Sequence, residues 1–139
     1  MLEFQFRDRA RAYFGLILTR PRLVEADDLE ALDAALESGA ITERESESIR
    51  WLDGIVRGRD KREADGPETL LAVEVSLTID IEDVRRARER AAILQKAGYR
   101  AFGVVGGETI TTRAAEMAER DGVLVRFASP DGMPREQIA

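Results

Sequence analysis

The stretch Leu70-Leu71-Ala72-Val73-Glu74-Val75-Ser76-Leu77 constrains the fold more than any other part of the chain. Side chains of a strand alternate between two faces, so Leu71, Val73, Val75 and Leu77 share one face. Leu70, Ala72, Glu74 and Ser76 share the other. A carboxylate set in such a run is costly unless something uses it. Leu52-Asp53-Gly54-Ile55-Val56 repeats the theme, with Asp53 inside an apolar segment. The residues between are polar and carry Asp65-Gly66-Pro67 as turn chemistry, which predicts a β-hairpin. Pairing its arms brings Asp53 and Glu74 toward one face of one sheet, a constellation suited to a divalent cation. Asp60 and Asp65 compete with Asp53 for that role, and Asp53 is preferred because a strand fixes ligand geometry better than a loop tip.

What the chain lacks narrows the chemistry. Its 139 residues contain no His and no Cys, which removes imidazole bases, thiol nucleophiles, disulfides and the usual zinc ligands. Carboxylate chemistry with hard cations, Mg²⁺ or Mn²⁺, is what remains. The length predicts one domain (1–139), with a helical section over 1–50, an α/β core over 51–128 and a loosely held tail over 129–139. At 44% hydrophobic residues the chain is globular. It has no apolar run long enough to span a membrane and no signal-peptide layout, so a soluble, cytoplasmic protein is expected. The net charge of −6 opposes broad attraction to nucleic acid. A local basic face is still possible, because nineteen of the 21 cations are arginine, with only Lys61 and Lys96 as lysines.

Residues 2–19 read as an amphipathic helix, with Phe6, Ala10, Tyr13 and Ile17 at helical spacing and Pro21 as its stop. Glu3 and Arg7 form an i,i+4 pair, which reads first as a solvated pair. Met1 stands close to this helix, as in a core domain cut from, or lacking, an upstream segment. A second helix is expected over 27–37, ended by Gly39. A third follows Thr42-Glu43-Arg44-Glu45, a capping box whose glutamates complement the helix N-terminus and face water. Residues 81–97 form the central helix, with Val84, Ala87, Ala91 and Leu94 as its inward stripe. A crossover of this length joins parallel strands, here Leu70–Leu77 and Ala101–Val105. Gly106-Gly107 reads as a tight strand-to-helix connection rather than a phosphate cradle. A helix over about 111–120 and a strand over 123–127 complete the core.

The order of these features resembles the PD-(D/E)XK, or restriction-endonuclease-like, nuclease superfamily. Asp53 is followed by Glu74-Val75-Ser76 on a hydrophobic strand and then by a basic helix. Leu2-Glu3 with Ala12-Tyr13-Phe14-Gly15, Gly39-Ala40-Ile41-Thr42, Asp53 to Gly58, Asp83 to Ala87 and Val104 to Glu108 extend the likeness over nearly the whole chain. The pattern looks like that of bacterial members in which the motif lysine is replaced by serine, here Ser76. The resemblance implies an α/β fold: a mixed sheet of a β-hairpin plus parallel strands, flanked by helices, with an N-terminal helical section. Such a core usually has another strand before the Asp strand, where helix is read here. That strand is therefore either missing or disguised.

The resemblance further implies that Asp53, Glu74 and the carbonyl of Val75 hold a divalent cation, with Glu3 as a carboxylate sent in from the first helix. The competing reading of Asp53 and Glu74 is a buried or edge carboxylate pair held by arginine. Ser76 carries no charge where the superfamily places an ammonium. Glu74 lies about 13 Å back from a strand end near Thr78, at about 3.3 Å per residue. Arg86 and Arg90 lie about 6 to 13 Å back along the returning helix, at about 1.5 Å per residue. Lys96 falls past the site, so Arg86 or Arg90 is the local cation. Two functional readings follow. The first is a metal-dependent nuclease with a modified site, Ser76 orienting water and Arg86 or Arg90 binding phosphate. The second is a catalytically inactive nuclease fold serving as a homodimerisation or partner-binding module. A third, an α/β binding domain unrelated to nucleases, predicts no metal affinity at Asp53 and Glu74.

Overall fold

The structure is a computed structural model that describes Phe6, residues 9–128 and residues 134–135. The expected hairpin forms: β2 (Gly54–Asp60) and β3 (Glu68–Val75) pair antiparallel, with Gly54 opposite Val73 and Arg59 opposite Glu68. After a two-residue strand β4 (Thr78–Ile79), helix α4 (Ile81–Lys96) crosses back, and β5 (Ala101–Gly107) runs parallel to β3. Helix α5 (Thr112–Asp121) makes a second crossover to β7 (Leu124–Ala128), parallel to β5. With β1 (Leu18–Val24) and β8 (Pro134–Arg135) at its edges, a six-stranded mixed sheet results, in the order β1-β2-β3-β5-β7-β8. Strand β6 (Thr109–Ile110) pairs with β4 in a separate two-stranded ribbon.

Strand β3 shows why this sequence folds this way. Leu70 and Ala72 pack on one side of the sheet, with Leu29 and Leu32 of α2 (Glu30–Ser38) and its lead-in, Ile49 of α3 (Glu43–Arg50), and Ala91 and Leu94 of α4. Leu71 and Val73 pack on the other, with Phe6, Phe14, Leu18 and Val104. Each fully buried leucine contributes about 1.5–3 kcal/mol by leaving water. The inward stripe of α4 is as expected, with Val84, Ala87, Ala91 and Leu94 all buried. Helix α4 lies close over β5, since a Cβ at Gly103 would come within 2.8 Å of the Ala87 carbonyl oxygen. Gly39 ends α2 at φ 81°, and Thr42 and Glu45 form the reciprocal capping box of α3.

Three expectations are corrected. The helix expected over 2–19 is, among the described residues, a short α1 (Ala10–Phe14), and Leu18–Val24 is strand β1 instead. It pairs antiparallel with β2, so the strand before Asp53 exists and was disguised. Pairing to β2 outweighs the local pattern here. Pro21 is accommodated because β1 is an edge strand with a bulge between Thr19 and Arg22, where a missing N–H costs little. Secondly, Gly106-Gly107 is the end of β5 rather than a turn, and a Cβ at Gly107 would collide with the Ser76 carbonyl oxygen. Thirdly, part of the tail is held, as β8 (Pro134–Arg135) pairs with Phe127 and Ala128 of β7. Glu3, Arg7 and Met1 lie outside the described residues. Among the described residues no helix is long and apolar enough to cross a membrane.

Candidate functional site

Glu74 sits one residue before the C-terminal end of β3, only 5% exposed, and turns toward α4. Helix α4 starts at a second reciprocal capping box: Asp80 Oδ1 accepts from the Asp83 N–H at 3.1 Å, and Asp83 Oδ2 accepts from the Asp80 N–H at 2.9 Å. The box fixes Asp83 so that its other oxygen, Oδ1, accepts from Arg86 Nη2 at 2.6 Å. Arg86 Nε then donates to Glu74 Oε1 at 3.1 Å. One turn later, Arg90 Nη1 lies 3.0 Å from the same oxygen, while its Nε donates to Ser48 Oγ at 3.2 Å and its Nη1 reaches the Trp51 carbonyl at 3.4 Å. Both arginines singled out by helix rise therefore meet Glu74.

The cluster is unevenly satisfied. Glu74 and Asp83 pair directly with the two guanidiniums, and Asp80 adds its field to Arg86. Burial opposes the charge of Arg86, but its hydrogen bond to Glu74 and the field of Asp83 outweigh this and hold its pKa above the ordinary guanidinium value. Both cations crowd Oε1. Glu74 Oε2 is buried with no hydrogen-bond partner among the described residues. Leaving a buried acceptor unmet costs about 1–3 kcal/mol, more for a charged group. Arg90 is mostly enclosed, with a side chain 13% exposed, whereas Arg86 is 38% exposed and presents one edge to solvent.

Asp53 follows α3 immediately before β2. Its N–H donates to the Val73 carbonyl at 3.1 Å, and its Oδ2 accepts from the Val75 N–H at 2.7 Å. The Asp53 carboxylate is thereby held one residue along β3 from Glu74, and the residue lines a small cavity with Phe14, Leu23, Val56 and Val73. Ser76 donates its hydroxyl to the Thr78 carbonyl at 3.0 Å and its N–H to the Gly106 carbonyl at 2.9 Å. Neither lysine is at the site: Lys96 pairs with Glu45 at 2.7 Å, and Lys61 donates to the Gly15 carbonyl at 2.5 Å. The other α4 arginines are paired as well, Arg85 with Glu82 and Glu89, and Arg88 with Asp121.

Two features escaped sequence reasoning. Asp83 received no role, although an aspartate three residues after Asp80 is the signal for a reciprocal cap. Asp60, weighed as a rival ligand, is a buried ion-cluster member at the other end of the hairpin. Its Oδ1 accepts from Arg62 Nε and its Oδ2 from Arg62 Nη2, both at 2.9 Å, and Arg100 Nη2 adds a third contact at 2.9 Å. The Arg62 hydrogen bonds, helped by Arg100 and opposed by burial, hold the Asp60 carboxyl well below the usual carboxylate range. Asp65 lies exposed in the hairpin turn. Among the described residues, no three acidic, His or Cys side chains gather as a metal-ligand group.

No protein-family model matches the chain, and no curated protein matches it. Three solved structures are similar to part of it. A repair endonuclease from Pyrococcus abyssi superimposes at a TM-score of 0.42 with 25% identity, over 54% of this chain and 32% of that one. The apo form of EndoMS gives 0.41 and 26%, over 55% and 33%. A complex of EndoMS with dsDNA gives 0.41 and 18%, over 82% and 47%. The chain thus spans less than half the length of each, and what it does has to be argued from its own side chains.

Proposed function

We propose that the chain is a nuclease-like protein of the restriction-endonuclease-like kind, acting on phosphodiesters of nucleic acid through a modified site centred on Glu74. One observation carries this reading: the buried Glu74 Oε2, near the end of a central strand, has no hydrogen-bond partner among the described residues. A fold that tolerates that cost at a strand end, beside an exposed guanidinium, is expected to gain it back on binding.

The donor chemistry suits a hard divalent cation in type. Glu74 Oε2, the Val75 carbonyl and the Asp53 carboxylate are all oxygens, and Mg²⁺ is commonly held by one or two carboxylates with water completing the shell. Such an ion, when bound, supplies polarisation of the scissile phosphate and a water of lowered pKa. Arg86, 38% exposed with Nε and Nη2 engaged by Glu74 and Asp83, offers Nη1 to a phosphate oxygen as a charge-assisted donor. Arg90, mostly enclosed, holds the Glu74 carboxylate in place. Neither serves as a base, because a guanidinium keeps its proton. Ser76 supplies an uncharged hydroxyl that donates to the Thr78 carbonyl and keeps its lone pairs to accept from a water.

The test is cleavage of single-stranded, duplex and branched DNA with Mg²⁺ and then Mn²⁺, alongside an Asp53→Asn/Glu74→Gln double variant. Metal-dependent cleavage by the parent, reduced at least a hundredfold in the variant, is expected. Equal cleavage by both would place the activity elsewhere.

A second reading is the catalytically inactive fold, working as a homodimerisation or partner-binding module. It is favoured by two guanidiniums already neutralising Glu74 and by an uncharged Ser76 where the superfamily places lysine. No cleavage on any substrate, with Mn²⁺ binding also absent, is the outcome that selects it.

A further inference from the structure

Each arginine of α4 has a carboxylate beside it, whereas a second group of arginines has little such compensation. It collects at the outer edge of the hairpin, where Arg20 and Arg22 of β1 meet Arg57 and Arg59 of β2 around a groove of about 450 Å³. Glu68 is the one carboxylate lining it, and it is paired with Arg57. Arg20 and Arg22 have no ion-pair partner among the described residues, and Arg59 donates only to the Gly66 carbonyl, at 3.1 Å. The register sets Arg22 directly opposite Arg57. Like charges facing each other across a strand pair are destabilising. The backbone adds a second cost: Arg20 has φ 51°, the one positive φ outside glycine among the described residues, at the bulge between Thr19 and Arg22. A bulge re-aims a side chain, and strained backbone persists where surrounding structure enforces it.

Protection of an edge strand against pairing with other chains accounts for the bulge, for Pro21 and for charge on β1. It does not account for Arg57 and Arg59, which lie on the inner strand β2. Four guanidiniums, two on each strand, face the single carboxylate of Glu68, which bonds Arg57 and sits opposite Arg59; the excess of positive charge that remains, in a chain of net charge −6, calls for an anionic ligand. The fork of an arginine matches phosphate bidentately.

We infer that the groove formed by Arg20, Arg22, Arg57 and Arg59 is a docking surface for the phosphate backbone of nucleic acid. It stands apart from Glu74. Arg57 is opposite Leu70, four residues before Glu74 on β3, or about 13 Å along the strand. The surface positions a backbone and takes no part in bond cleavage; for its partner class it rests on the nuclease-like reading above.

The test is fluorescence anisotropy with a labelled DNA duplex and a labelled single strand in EDTA, over a series of salt concentrations, so that neither metal nor cleavage enters. The parent should bind with a log–log salt slope of about −0.9 per phosphate contact. An Arg20→Gln/Arg22→Gln/Arg59→Gln variant, shown folded by circular dichroism, should lose about three from the magnitude of that slope. Arg22→Gln alone should lose about one, which keeps the inference testable if the triple variant does not fold. Arg85→Gln, with its charge already balanced by Glu82 and Glu89, should bind like the parent. No binding by the parent, an unchanged slope in the groove variants, or tighter binding of poly-glutamate than of DNA would each overturn the inference. Loss of slope without cleavage by the parent retains the groove and removes the nuclease. Cleavage lost in Glu74→Gln with an unchanged slope in the groove variants does the reverse.

Discussion

Two buried carboxylates mark opposite ends of the hairpin, each gripped by two arginines, and they differ in one oxygen. Asp60 at the end of β2 is fully buried, and both its oxygens accept hydrogen bonds, from Arg62 on one side and from Arg62 and Arg100 on the other. The same two guanidiniums stack over Phe102, at 4.6 and 5.1 Å from the ring centroid. Glu74 near the end of β3 has Arg86 and Arg90 converging on Oε1 alone. Bonding both oxygens gives a closed cluster whose role is to pin the loop end of the hairpin to the start of β5. Leaving one unmet gives a cluster with unused capacity. A buried carboxylate therefore identifies a functional candidate only after its oxygens have been accounted for one by one.

The largest effect that separates the two ends is on stability. Asp60→Asn removes the charge that balances two guanidiniums and should cost about 3–5 kcal/mol, read from the urea unfolding midpoint. Glu74→Gln should cost less, about 1–3 kcal/mol, because only one of its oxygens makes hydrogen bonds that can be lost and the unmet acceptor loses its charge. Equal losses in the two variants would erase the distinction. The smallest effect is the response to acid. The Asp60 pKa is lowered in the fold, so its contribution is fully present above its ordinary value of 3.8 and is lost as pH falls toward the lowered one. The loss is at most about 1.4 kcal/mol per pH unit for one proton. Unfolding midpoints measured at pH 5 and pH 2.5 should therefore fall further in the parent than in Asp60→Asn.

Much of this architecture was legible in the sequence, for identifiable reasons. The hairpin announced itself through period-two apolar arms around Asp65-Gly66-Pro67, and the inward stripe of α4 through Val84, Ala87, Ala91 and Leu94. Simple rise per residue brought Arg86 and Arg90 to Glu74, because a strand and the helix that returns over it form a rigid ruler. Strand β1 was not legible. Phe6, Ala10, Tyr13 and Ile17 suit a helix, Pro21 argues against a strand, and pairing with β2 depends on residues more than thirty positions away. The hydrogen bond from Val75 N–H to Asp53 Oδ2 was equally hidden, since it depends on where one side chain turns at the mouth of the hairpin. The arginine groove required both the β1–β2 register and the knowledge that the arginines of α4 were already paired.

The account turns on whether Glu74 Oε2 is a ligand atom. The most direct measurement is calorimetric titration of Mn²⁺ into the parent, Glu74→Gln and Asp60→Asn, each confirmed folded at the working temperature. The account predicts one binding event in the parent, its loss in Glu74→Gln and its retention in Asp60→Asn. Equal affinity in the parent and Glu74→Gln, or no binding by the parent, would contradict it.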